Sequence, residues 1–153
     1  MQLNMFLKSS STLVFFILLS TKVLLSQPKV ELLSSSQARP GYGAGFKIKI
    51  ARNGATGLMR FVSNIPKECT VNELKINSAM LSSTENELRA VWLSVPLRDT
   101  IFQEWELKIP ENAKGKYVIG GKLEYFVDGE KKSVSSNTVE IYLTPFFTRY
   151  LNE

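Results

Sequence analysis

The sequence contains no histidine, a single cysteine (Cys69) and two aspartates, Asp99 and Asp128. Each shortage removes a class of chemistry. Without histidine there is no Ser-His-Asp triad, no Cys-His pair and no histidine-based zinc site. One cysteine cannot close an internal disulfide. Within "IPKECTV", beside Val71, its thiol is expected in the interior. Two isolated aspartates supply no calcium loop. These absences read as a chain that is not an enzyme, with no metal, no cofactor and no catalytic residues. Excess charge of one sign is lacking as well. Lys8 and Lys22 fall in a leading segment of 26 residues without acids; removing them from 19 basic residues leaves 17 against 14 acids. A balance of +3 is too mild for a nucleic-acid partner, which needs a concentrated basic stripe.

The leading segment, "MQLNMFLKSSSTLVFFILLSTKVLLSQP", has the layout of a secretory signal peptide. Lys8 supplies the positive start, Leu13 to Leu19 the apolar run, and Ser26 a small residue at the cleavage point, with Ser20 as second choice. The alternative, a retained membrane anchor, needs about 20 apolar residues. Here Ser20, Thr21 and Lys22 interrupt the run, so no transmembrane span is expected after cleavage. Export without disulfides points to a bacterial envelope, periplasm or cell surface, because small secreted eukaryotic domains are usually stapled.

What is abundant is alternation with period two, the period of strands. "FKIKI" sets Phe46, Ile48 and Ile50 against Lys47 and Lys49. "EWELKI" sets Trp105, Leu107 and Ile109 against Glu104, Glu106 and Lys108. "KLEYFV" and "TVEIYL" repeat the pattern around Leu123 and Ile141. "RPGYGAG", "RNGATG" and "VDGEKK" are turns, the last with an Asp-Gly hairpin signal. "GYGAG" lacks the spacing of a dinucleotide loop and precedes a strand, so it reads as a turn. Seven or eight strands are predicted: Lys29–Ser34, Gly45–Arg52, Gly57–Asn64, Val71–Asn77, Leu88–Val95, Phe102–Ile109, Lys116–Val127 and Lys131–Leu143. No stretch of more than ten residues carries a helical stripe. The expectation is one all-β domain over 27–144, an immunoglobulin-like β-sandwich of antiparallel strands, with a small barrel as the alternative.

The ordered stretches "GLMRFVSNIPKECTV", "AVWLSVP" and "FQEWELKIPENAKGKYVIGGKLEYFVDGEKKSV" carry a resemblance. They are similar to a family of exported immunoglobulin-like, cohesin-like β-sandwich domains of Bacteroidetes, over about Gly41 to Leu143. The resemblance implies the fold and an exported setting. It supplies no catalytic residues to carry over. This chain departs from the pattern at Lys67-Glu68-Cys69, where a glycine is more usual.

Candidate binding residues are aromatic. Trp105 shares its face with Leu107 and Ile109 and is expected in the core. Trp92 is ambiguous, because Val91, Leu93 and Val95 form the competing face. With the valine face inside, Trp92 lies outside with Phe126 and Tyr142, an aromatic platform for a sugar or a partner chain. The bland reading puts Trp92 under a loop or at the rim. The segment 145–153 adds Phe146, Phe147 and Tyr150 beyond a strand stopped by Pro145, either as a lid or as a docking peptide. Glu104, Glu106, Glu124 and Glu140 alternate with lysines and read as cross-strand ion pairs rather than a catalytic carboxylate pair. The function expected is an exported, non-enzymatic binding or assembly module acting by protein–protein contact on an envelope protein. The alternative is a carbohydrate-binding module that takes a surface polysaccharide on a patch around Trp92.

Overall fold

A computed structural model describes residues 27–75, 79–94 and 96–144, with the side chains of 73–75 left aside. The expected signal peptide, 1–26, and the aromatic segment 145–153 lie outside the described residues. Among the described residues there are twelve strands and no helix. They are β1 (Lys29–Ser34), β2 (Gln37–Ala38), β3 (Gly43–Ala51), β4 (Thr56–Asn64), β5 (Thr70–Lys75), β6 (Met80–Ser83), β7 (Glu87–Trp92), β8 (Thr100–Lys108), β9 (Lys116–Ile119), β10 (Gly121–Val127), β11 (Glu130–Ser135) and β12 (Val139–Leu143). The chain is an all-β sandwich.

The first principal sheet has the order β1-β3-β8-β5 and the second β11-β10-β4-β7-β6; a small sheet, β2-β12-β9, completes the fold. The first order matches the A-B-E-D sheet of immunoglobulin domains. The first strand also divides between sheets: β1 runs antiparallel to β3, and β2 runs parallel to β12. Every other pairing is antiparallel.

Alternation decides which side chains meet between the sheets. From the first sheet come Leu32, Phe46, Ile48, Ile50, Trp105 and Leu107; from the second, Met59, Phe61, Leu88, Ala90, Trp92, Leu123 and Tyr125; all are buried. Phe46 lies opposite Trp105 in the ladder. Their rings stack with centroids 5.5 Å apart and planes 7° from parallel. Aromatic pairs at this offset add about 0.5–1.5 kcal/mol beyond area burial.

The strand count exceeds the seven or eight expected, for two physical reasons. β2 and β6 are too short to show a period. In addition, the two runs read as single strands, Lys116–Val127 and Lys131–Leu143, each divide between sheets. They form one long hairpin around Asp128-Gly129, whose φ angles of 52° and 80° give a type I′ turn. Midway the register slips. Ile119 pairs with Val139, and Gly121 bonds Ser136, so Gly120 alone faces Asn137 and Thr138. This two-against-one arrangement is a β-bulge, which bends the ribbon and re-aims a side chain. The side chain re-aimed is Asn137. Its amide accepts from the Leu32 N–H at 2.7 Å and donates to the Leu32 carbonyl at 2.9 Å. It thereby stands in for a neighbouring strand along β1. Gly121 is required here, since a Cβ would overlap the Phe61 ring.

Candidate functional site

In the second sheet the residues between the core positions point outward, and the register sets them in transverse rows. One row runs Ser133, Glu124, Arg60, Val91, Met80; the next runs Ser135, Lys122, Val62, Arg89, Ser82. A shallow depression of about 500 Å³ lies over Arg60, Val62, Asn64, Glu87, Arg89 and Lys122. Its charges are largely neutralised within the chain. Glu124 accepts from Arg60 through Nε at 2.8 Å and again through Nη2, and it pairs with Lys131 at 3.0 Å. Arg89 pairs with Glu87. The Lys131 and Arg60 hydrogen bonds hold the Glu124 carboxyl below the usual carboxylate value. A carboxylate held ionised in this way is a poor general acid near neutral pH. The geometry suits ion pairing, as the alternation of glutamates and lysines suggested.

Toward the Asp128-Gly129 turn the same face becomes apolar. Phe126 and Leu58 are each 40% exposed, Leu93 66% and Met80 64%. Phe126 pairs with Thr56 across a register shift that leaves Gly57 and Leu58 as extra residues on β4, Leu93 follows Trp92 just beyond β7, and Met80 pairs with Val91. These exposed residues lie toward one end of the second sheet. The hairpin turn carries Lys131 and Lys132 at its rim.

The aromatic platform expected around Trp92 is not formed. Leu88, Ala90 and Trp92 make the inner face of β7, and Trp92 is fully buried opposite Met59. The valine face, Val91 and Leu93, is the outer one. The alternation of Leu88, Ala90 and Trp92 against Glu87, Arg89 and Val91 decides this, and the buried partners on β4 match it. The Trp92 indole N–H has no hydrogen-bond partner among the described residues. Phe126 and Tyr142 are exposed but belong to different sheets. Tyr142 donates to Glu140 at 2.8 Å, while Lys116 sits 5.8 Å from its ring centroid and 2.8 Å from Glu140. Phe146, Phe147 and Tyr150 lie outside the described residues. The apolar positions missed by sequence reading were Leu58, Leu93 and Met80. Exposed single leucines and methionines carry no signal until the register groups them.

Cys69 is buried, as expected. Burial raises its thiol above the ordinary value, followed in weight by a lowering hydrogen bond with Tyr117. The Tyr117 phenol donates to Glu68 at 3.0 Å and is itself pushed up, chiefly by burial. A protonated, enclosed thiol is an inert one. Among the described residues no group of three or more His, Cys, Asp or Glu is placed to hold a metal ion.

No protein-family model matches this chain, and no curated protein does. Among solved structures it is similar to a GH20 exo-β-N-acetylglucosaminidase from Vibrio harveyi in complex with N-acetylglucosamine. The TM-score is 0.46 at 10% identity, over 79% of this chain and 19% of that one. An inactive mutant of the same enzyme gives 0.46 at 9% identity, over 81% and 20%. This chain spans about a fifth of those enzymes, and the likeness at that level carries no argument about activity.

Proposed function

We propose that the chain is an exported, non-enzymatic binding module of a bacterial cell envelope that works by protein–protein contact. The observation that carries the reading is the apolar end of the second sheet's outer face, where Phe126, Leu58, Leu93 and Met80 stand in solvent together. Grouped apolar side chains with a polar rim mark contact surfaces. Beside it the same face carries the Arg60–Glu124–Lys131 and Arg89–Glu87 ion pairs, which favour specificity of docking over chemistry. Export rests on the leading segment, with Lys8 before Leu13–Leu19. A sugar-binding reading loses its centre with Trp92 in the core.

A photo-crosslinking residue placed at Leu93 tests the proposal in whole cells, with the same residue at Lys49 on the first sheet as reference. A discrete adduct from position 93 alone is expected. Equal adducts from both positions, or none from either, overturn it. Mass spectrometry of the exported chain should find Gln27 at its amino terminus; an intact Met1 overturns cleavage.

A further inference from the structure

A sheet edge offers unpaired N–H and C=O groups, and proteins blunt it with charge, bulges or cover. The edges of this fold differ in that respect. β11 carries Lys131 and Lys132. β5 is broken by a register shift between Glu73 and Lys75. The Asn137 amide occupies the outward groups of Leu32 on β1. β2 has two residues, and β9 carries Lys116. β6, with the sequence Met80-Leu81-Ser82-Ser83, has no charge, proline or register shift, and among the described residues no strand lies on its outer side.

The bonding groups of that edge can be assigned. Thr84 N–H bonds the Glu87 carbonyl at 2.8 Å, closing the β6–β7 hairpin. Bonded and non-bonded pairs alternate in an antiparallel ladder. Ser82 and Met80 therefore bond β7, and the N–H and C=O groups of Leu81 and Ser83 face outward.

We propose that β6 pairs antiparallel with β6 of a second copy of this chain, about a two-fold axis through Ser82. Leu81 of each copy exchanges both backbone bonds with Ser83 of the other. The two five-stranded sheets become one. The edge fits itself because a two-fold axis through Ser82 sets Ser82 against Ser82 and pairs Leu81 with Ser83 twice over. A charged edge would meet like charge, which is destabilising; here Ser82 meets Ser82. The nearest outward charges, Arg89 and Glu87, already neutralise each other. Met80, 64% exposed, gains Thr84 of the other copy as a neighbour. Four residues per copy bury far less than the roughly 1,200 Å² of a standard stable interface. The association is therefore weak and concentration-dependent. It is separate from the heterologous contact proposed above, and either can fail alone.

In this register Ser82 faces Ser82 as a non-hydrogen-bonded pair, whose Cα atoms lie about 4.5 Å apart. That spacing admits a disulfide. The purified chain carrying Ser82→Cys should form a covalent dimer on mild oxidation, whereas Ser133→Cys on β11 stays monomeric; buried Cys69 is common to both. By sedimentation, the average mass of the unaltered chain should rise with concentration. Ser82→Lys should raise the dimer dissociation constant at least tenfold, and so should Ser83→Pro, which removes an outward N–H. Circular dichroism verifies that the variants fold. A chain that stays monomeric at millimolar concentration overturns the proposal. So does a dimer that survives both substitutions, or cross-linking as fast from Ser133→Cys as from Ser82→Cys.

Discussion

The two tryptophans occupy equivalent depths in opposite sheets, yet their surroundings differ. Trp105 on β8 stacks on Phe46 and is flanked along its strand by the charged outer residues Glu104 and Glu106. Trp92 on β7 lies opposite Met59, its indole N–H is buried with no partner among the described residues, and the charged outer positions of its strand, Glu87 and Arg89, give way to apolar Val91 and Leu93 beside it. The contrast teaches that burial and legibility are separate properties. A strand announces its inner face only when its outer face is polar. Where apolar residues flank a position on both sides, as Val91 and Leu93 flank Trp92, the inner face is read from the rest of the strand, here Leu88 and Ala90 against Glu87 and Arg89.

The largest effect expected is common to both residues. Trp105→Ala and Trp92→Ala should each lower the unfolding free energy by about 3–5 kcal/mol in urea titrations. A loss under about 1 kcal/mol at Trp92 would return it to the surface and undo the comparison. Next comes the bridge between the sheets. Asn137→Ala leaves the Leu32 N–H and carbonyl without that partner, at a cost of about 1–3 kcal/mol. Asn137→Asp should be harmful too, because its carboxylate cannot donate to the carbonyl.

A finer test separates the two indoles. Trp92→Phe removes an N–H that has no partner among the described residues, so it should cost less than Trp105→Phe, by about 1 kcal/mol. Equal losses would mean that the Trp92 N–H is satisfied. The smallest effects lie on the outer faces. Glu124→Gln should cost up to about 1 kcal/mol, since it releases both Arg60 and Lys131. Glu31→Gln breaks one exposed pair with Lys49 and should be nearly silent. Glu124 also sets a sign for acid. Its folded pKa is lowered, so its contribution is complete above the usual glutamate value of 4.5 and is lost as pH falls through the folded value. In Glu124→Gln that part of the acid sensitivity should vanish from melting curves taken below pH 5.

Much of the fold was legible in the sequence. The inner faces of β3, β8, β10 and β12 follow from period two alone, because lysines and glutamates mark their outer sides. β1 matched its expected span, Lys29–Ser34. What could not be read depends on long-range pairing. β2 and β6 are two and four residues long, too short for a period. The bulge left a trace that was passed over: the inward apolar positions change parity between Val134 and Ile141. A change of parity within one strand requires an inserted residue. Of the candidate binding residues, Trp92 failed because its flanking residues Val91 and Leu93 are apolar, whereas the outer face of its strand is marked only by Glu87 and Arg89 at the start. Phe126 and Tyr142 are exposed, but the division of one hairpin between two sheets keeps them from forming one cluster.

Asn137 and Leu32 are 105 residues apart in the chain, and this distance orders events in time. On a ribosome, β1 emerges before the other strands and can meet β3 early. The amide that completes its outer side arrives only with the second strand of the last hairpin. Contacts of such separation come at a high entropic cost and form late. Until then β1 keeps a raw edge. A newly made molecule therefore passes through a stage in which its first strand is open to exchange with a neighbour, and that stage closes only when the last hairpin folds.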